Sequence, residues 1–310
     1  MNRRDLIRNA VALVPALKSA ALFSKHKRPE IAFTFDDPRT DSSGGLFWEE
    51  INERILAALA KHRVKAVLFV TGKRVDDDAG RSLVSAWDRA GHGIGNHSYS
   101  HPYFNNAGIT LAQFESDVLG DEPLIRDCAH FVRLFRFPYF KEGETTEKRD
   151  GMRSFLQQHG YRVGRATIDT SDWAISGRLE KFLDSEPKAD TASYGQFFKQ
   201  HIFDRAQFYD SLARRLLNHE VRHTVLLHHN ALNALFLDQL INMFVDKGWK
   251  PIDALHAYAD PVYDLQPKIL PAGEGLIWAL AKQSGKFDKE LRYPGEDDVY
   301  ENPKMDELRL

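Results

Sequence analysis

The chain has 310 residues, of which 43% are hydrophobic and 28% charged, and its formal net charge is -2. A charge this close to zero gives no general attraction to phosphate backbones or anionic lipid, so nucleic acid is not an expected partner. The single cysteine, Cys128, excludes an intrachain disulfide and a thiolate metal cluster. Any metal must therefore be held by histidine and carboxylate, and the length permits one large domain or two small ones.

Residues 1–28 have the outline of an export signal. The paired arginines Arg3 and Arg4 precede a short apolar run that Pro15 and Lys18 interrupt. That run is shorter than the roughly 20 apolar residues of a membrane span, so no transmembrane helix is expected. The pattern resembles a twin-arginine signal and predicts a periplasmic or secreted protein, whereas a surface helix at the N-terminus is the alternative.

From Glu30 onward, short apolar runs alternate with amphipathic stretches. The runs that predict strands are IAFTF, KAVLFVTG, HGIGN, VRLFRF, YRVGRATID and HTVLLHH. Helical spacing is found between them, as in LFWEEINERILAALAKH, GRSLVSAWDRAG and LAQFESDVLGDEPLIRDC, and later in ALNALFLDQLINMFVDKG. This alternation predicts parallel strands joined by helices, in an α/β barrel or a doubly wound sheet.

Polar residues with catalytic potential fall at the ends of five predicted strands. They are Asp36, Asp37, His97, His101, Arg136, Pro138, Tyr139, Asp169, Asp172 and His228. The carboxyl ends of parallel strands open on one face in such folds, and active sites are built there. We therefore expect these residues to converge.

The HSYSH segment is a candidate metal site. His97 and His101, four residues apart, can direct both rings to one point if the segment forms a helical turn, and one carboxylate would complete a three-ligand zinc site. Taken alone, the pair is explained equally well by structural or capping roles.

Asp36 and Asp37 are adjacent carboxylates that repel each other unless a cation compensates. Alone, such a pair is more typical of a turn or a helix cap. Here the preceding strand is too apolar for a surface ribbon, so one aspartate binding metal and the other pairing with Arg136 is a consistent division. The alternative for Arg136 is a surface salt bridge.

The segments TFDDP, HSYSH, RFPY, DTSDW and LLH, in this order, resemble the five motifs of the NodB-homology polysaccharide deacetylases, carbohydrate esterase family 4. The resemblance implies a distorted (β/α) barrel of about seven strands. It spans residues 29–260, which would form a single catalytic domain. Residues 261–310 are richer in proline, glycine and charge, and we expect a C-terminal extension that wraps over the domain surface or has a mobile end. The helical region 194–218 would cover one side of the cleft.

The resemblance also implies a metal site and an acid–base pair. Asp37, His97 and His101 would bind a divalent ion, zinc above all, with cobalt or nickel as other options. Asp36 would be the general base and His228 the general acid.

Further roles implied by the resemblance concern residues around this pair. Arg136 would orient Asp36, and Asp172 would orient His228. The Tyr139 N–H would help to hold the oxyanion, and the substrate pocket would be formed by Trp173, Leu226 and Pro138. Two departures from the family pattern, Pro38 after the aspartates and His229-Asn230 after His228, concern the shape of the pocket.

The function implied is removal of acetyl groups from an N-acetylated, or O-acetylated, poly- or oligosaccharide. Two alternatives stay open at this point. One is hydrolysis of another small amide or a cyclic imide on the same fold, and the other is a non-catalytic glycan-binding barrel.

Overall fold

The structure is a computed structural model that describes residues 28–293 and 295–310. Its centre is a seven-stranded sheet with the order β6-β4-β3-β2-β1-β7, in which β8 also pairs with β1 and every pairing is parallel. Its strands are β1 (Glu30–Asp36), β2 (Val67–Val70), β3 (Gly93–Asn96), β4 (Phe131–Phe135), β6 (Arg162–Val163), β7 (Arg222–His228) and β8 (Lys250–Pro251). A separate pair, β5 (Lys141–Gly143) and β9 (Ala272–Gly273), is antiparallel.

Helices follow the strands, as the alternating pattern predicts. They are α1 (Trp48–Lys61), α2 (Asp78–Arg89), α3 (Leu111–Ile125), α4 (Thr146–Gln158), α5 (Asp172–Ser185), α6 (Ala192–Leu217), α7 (Ala231–Asp246), α8 (Ala254–Tyr258), α9 (Leu276–Ser284) and α10 (Asp298–Glu307). The apolar strands β1, β2 and β7 are buried along almost their whole length, because helices cover the outside of a sheet whose inside is filled by side chains.

The chain after β6 curls the sheet towards a barrel. Ile168 forms a parallel bridge with Val225, and the Leu226 N–H donates to the Ile168 carbonyl oxygen at 3.0 Å. The predicted strand YRVGRATID is regular only at residues 162–163, because this segment leaves β4 and crosses to β7. The expected distorted barrel of about seven strands is confirmed.

The segment after Asp260 contributes to the core as well as to the surface. Helix α9 buries Leu276, Ile277 and Trp278, and β9 pairs with β5. The proposed boundary between residues 260 and 261 stays a prediction.

The export-signal interpretation falls on residues 1–27, apart from Arg28, and so lies outside the described residues. Within the described ranges, none of the helices has the length and apolar character that a membrane crossing requires.

Candidate active site

A cavity of about 560 Å³, here called the main cavity, lies at the carboxyl ends of the strands. Its size is in the range of ligand pockets, roughly 300–1,000 Å³. The predicted site residues that line it are Asp36, Asp37, His97, His101, Tyr139, Asp169, Trp173, Leu226 and His228. The convergence expected from the strand ends is therefore present in the structure.

Three of these residues form a possible metal-binding group. One ligand atom from each of Asp37, His97 and His101 lies within 4.8 Å of the other two. The Nδ1 atom of His97 lies 2.8 Å from the Arg136 carbonyl oxygen, so Nδ1 carries the proton and Nε2 keeps its lone pair. Burial lowers the pKa of both His97 and His101 to about 4, which keeps the two rings neutral.

The HSYSH segment is a loop rather than a helical turn. Ser98 and His101 have φ angles of 66° and 57°, in the left-handed region, and the His97 N–H donates to the Val70 carbonyl oxygen. The conditional expectation of a helical turn is wrong. The rings approach because the loop folds back, with ring centroids 4.9 Å apart.

The Asp37 carboxylate is fixed from the neighbouring strand end. The Thr71 hydroxyl donates to Oδ1 at 2.6 Å, while Oδ2 lies 3.5 Å from His101 Nε2. Burial alone would raise the pKa of Asp37, but His101, His97 and the Arg74 guanidinium outweigh it and hold this pKa well below its usual range. Asp37 is thus ionised and can offer a carboxylate oxygen to a metal ion.

Asp36 faces an arginine that is wholly buried. The Arg136 guanidinium donates to Asp36 Oδ1 at 2.7 Å and to the Tyr258 hydroxyl at 2.9 Å, and its Nε donates to the Gly164 carbonyl oxygen. Burial raises the pKa of Asp36 to about 6, although Arg136 opposes the change. The surface salt bridge considered for Arg136 is wrong, since its side chain has no exposed area.

His228 is held by a second buried carboxylate. Its Nδ1 lies 2.7 Å from Asp172 Oδ1, and the Asn233 amide donates to Asp172 Oδ2 at 2.7 Å. Burial disfavours the charged ring, but the charge and hydrogen bond of Asp172 outweigh it and raise the pKa of His228 to about 9. The ring is therefore cationic at neutral pH.

The residues expected around the substrate differ in exposure. Tyr139 and Trp173 are 56% and 45% exposed, and Leu226 is a buried part of the cavity wall. Pro138 is buried and is not among the residues that line the main cavity, and its role in the substrate pocket stays a prediction. Tyr139 has a φ of 55°, which turns the chain sharply beside His101.

Several residues at the cavity were not anticipated. Lys141, Glu274 and Glu296 line it, the last two from the C-terminal segment, whereas no residue of α6 does. The expectation that residues 194–218 cover the cleft is wrong, and α5 supplies that wall through residues such as Trp173. Asn230, at one departure from the family pattern, caps α7 by accepting from the Asn233 N–H.

The donor set of Asp37, His97 and His101 fits a divalent transition ion. Two imidazole nitrogens and one carboxylate oxygen are ligands suited to zinc, and three protein ligands leave a position for water or substrate. The neutral rings, the ionised Asp37 and the hydrogen bond that orients His97 agree with this use.

The family profile described as polysaccharide deacetylase matches residues 24–164, which include three of the five motif segments. A NodB-type fold and a site at its strand ends agree with this match. Residues 24–164 are therefore similar to the polysaccharide deacetylases, carbohydrate esterase family 4.

Two curated relatives carry names from the same family. A peptidoglycan-N-acetylglucosamine deacetylase of Bacillus cereus is 29% identical over 50% of this chain and 51% of its own length. A peptidoglycan-N-acetylmuramic acid deacetylase of Bacillus subtilis is 38% identical over 22% of this chain and 26% of its own length. The match thus spans about half of the length of the first relative and about a quarter of the length of the second.

A solved structure supports the fold. A CE4 family pseudoenzyme from Bacillus anthracis matches with a TM-score of 0.51 and 19% identity, over 74% of this chain and 65% of that one. A mutant of it, described as having restored enzymatic activity, has the same TM-score at 20% identity and matches over 74% of this chain and 67% of its own.

Proposed function

We propose that this protein is a metal-dependent hydrolase that removes acetyl groups from an N-acetylated glycan, of which peptidoglycan is the leading candidate. One observation carries the proposal. A single cavity brings the Asp37, His97 and His101 donors together with a buried carboxylate, Asp36, and a cationic imidazole, His228.

A divalent ion at the three donors would supply Lewis acidity and lower the pKa of water. The reaction adds the water oxygen to the amide carbonyl carbon, breaks the C–N bond and releases acetate and an amine. Asp36 accepts the proton of the attacking water, since its pKa of about 6 leaves it mostly ionised at neutral pH. His228 donates a proton to the departing nitrogen.

Two further features suit an acetamide. The Tyr139 backbone N–H is assigned to the developing oxyanion, because this residue lies in the sharply turned cavity wall. Leu226 and Trp173 offer apolar surface for the acetyl methyl group. Both curated relatives are named for peptidoglycan sugars that carry an acetamide, which supports the choice of substrate.

The test is an acetate-release screen. Purified metal-loaded protein is incubated with chitin oligomers, peptidoglycan fragments and acetylated xylan, with and without a chelator. We expect acetate from the N-acetylated glycans, its loss with chelator and its return when zinc is added. Release from a simple amide or a cyclic imide but from no glycan would favour the alternative hydrolase.

A glycan-binding protein without catalysis is the second candidate, because the structural neighbour is named a pseudoenzyme. Against it, the base, the acid and the three donors are all chemically competent side chains here. Glycan binding without acyl release from any substrate, unchanged in Asp36→Asn, would support this candidate.

A further inference from the structure

A second cavity of about 530 Å³ opens beside the main cavity and is called here the C-terminal groove. Tyr103, Lys141 and Glu274 line both cavities, so the two spaces adjoin each other. The remaining wall of the groove comes mainly from the C-terminal segment, including Leu270 and Tyr293. This segment lies outside residues 24–164, the part that matches the family profile.

Backbone pairing fixes the groove to residues 140–143, which follow Tyr139 and are called here the site loop. Strand β9 pairs with β5, and the Glu274 N–H donates to the Phe140 carbonyl oxygen at 3.0 Å. Lys141 and Glu274 form an ion pair across the same junction. The groove therefore keeps its position relative to Tyr139, the residue that directly precedes this loop.

Exposed apolar surface lies along the groove. Tyr103 is 46% exposed, Leu270 is 47% exposed and Tyr293 is 68% exposed. The ring centroids of Tyr103 and Tyr139 lie 5.5 Å apart, and those of Tyr293 and Trp278 lie 6.3 Å apart. Tyrosine combines a flat apolar face with a polar edge, which suits the C–H face and the hydroxyl rim of a pyranose.

Two of the three lysines that line the groove are paired with carboxylates. Lys141 is paired with Glu274, and Lys282 lies 3.0 Å from Asp288. Paired charges favour an uncharged ligand over a densely charged one, because each pair would have to be broken to bind a counter-charge.

We propose that the C-terminal groove binds the sugar units that flank the reacting unit, so that the protein acts on glycan chains rather than on single sugars. The inference rests on the proposed function, which places the reacting acetamide in the main cavity. It assigns to residues 268–293 a substrate-binding role, with Tyr293 as a stacking residue that lines the groove and not the main cavity.

The test compares the affinities of N-acetylglucosamine oligomers of two and five units. Calorimetric titration uses the full chain carrying Asp36→Asn with zinc present, so that the oligomers are not consumed. The pentamer should bind about tenfold more tightly than the dimer, and adding Tyr293→Ala should remove most of that gain. Phe47→Ala, which removes an exposed aromatic outside both cavities, should keep it.

Three outcomes would overturn the binding role of the groove. They are equal affinities for the two oligomers, no binding of either oligomer, and a gain in affinity that persists in Tyr293→Ala. Acetate release by the wild-type chain is measured separately. Release without a length-dependent gain contradicts the groove alone, whereas a length-dependent gain without release contradicts the hydrolase and leaves the groove standing.

Discussion

The proposed roles of Asp36 as base and His228 as acid agree with the different environments of the two side chains. Burial makes Asp36 a better proton acceptor by raising its pKa to about 6, and Asp172 makes His228 a cation by raising its pKa to about 9. At a pH between these two values, Asp36 is ionised and His228 is protonated at the same time, as a proton acceptor and a proton donor must be. This pairing agrees with the division of labour expected from the motifs.

Replacement of Asp36 by asparagine tests the base. Because asparagine cannot accept the proton, we expect kcat for acetate release to fall by about 10²- to 10⁴-fold. Bound metal, measured by elemental analysis, should be retained, since Asp36 is not one of the three donors. A variant with more than about a tenth of wild-type kcat would contradict the assignment.

Replacement of Asp172 by asparagine tests whether His228 is the general acid, through the pH dependence of kcat/KM. The raised pKa of His228 means that the protonated ring is present below about pH 9 and is lost above it. Without the Asp172 charge, this pKa falls, so the alkaline limb of the kcat/KM profile should move to lower pH. The same proton linkage adds stability below the unfolded-state pKa of roughly 6.5, and this contribution disappears as pH rises to about 9.

The matched control is Asp210→Asn. Asp210 lies 3.4 Å from His223, a carboxylate–histidine pair that does not line the main cavity. The alkaline limb of the kcat/KM profile should stay in place in Asp210→Asn. An alkaline limb that does not move in Asp172→Asn would exclude His228 as the acid.

At the scale of elements, the strand ends could be predicted and the loops between them could not. Asp36 and His228 are the last residues of apolar strands and Arg136 directly follows one, and parallel pairing alone brings such positions together. The positive φ angles of Ser98 and Tyr139 leave no periodic signal, so the loop that joins the histidines was missed. Asn233, which holds Asp172, is a polar residue in an apolar helix and gave no other sign of its role.

The pairing of β5 with β9 requires glycine at position 273. Its φ is 131°, and a Cβ there would lie 1.9 Å from the Phe140 carbonyl oxygen. Gly273→Ala should therefore separate the C-terminal segment from the site loop, lowering stability by about 2 kcal/mol or more and reducing kcat. Thermal unfolding and acetate release measure the two effects.

Gly248→Ala is the matched control, since Gly248 also has a positive φ, 84°, but a Cβ at this position would meet no atom within 4 Å. It should cost only about 1 kcal/mol and leave kcat unchanged. Equal effects of the two substitutions would show that backbone strain alone, and not the contact with Phe140, explains the loss.

Across the whole molecule, composition misdirects the interpretation of the last 50 residues. Proline, glycine and charge suggested a surface extension, yet Ile277 and Trp278 are buried in the core and Glu296 reaches the main cavity. A nine-residue helix is too short for its periodicity to outweigh such a background. The barrel itself was predictable, because its alternating strands and helices extend over most of the chain.

Truncation after Asp260 tests this integration. Each large apolar side chain buried by the segment, such as Leu276, stabilises the fold by about 2 kcal/mol, against a total stability of about 5–15 kcal/mol. The truncated chain should lose its cooperative unfolding transition in circular dichroism. Val299→Ala, at an exposed position of the same segment, should keep it, and a truncated chain that unfolds like the full one would make residues 261–310 a dispensable extension.

Asp37, His97 and His101 are proposed to hold a divalent ion beside Asp36 and His228. The most direct measurement is a zinc titration of the wild-type chain and of His97→Ala, with bound metal counted per chain. We expect about one zinc ion per wild-type chain and a loss of at least tenfold in affinity in His97→Ala. Zinc binding that is absent from the wild type, or unchanged in His97→Ala, would contradict the account.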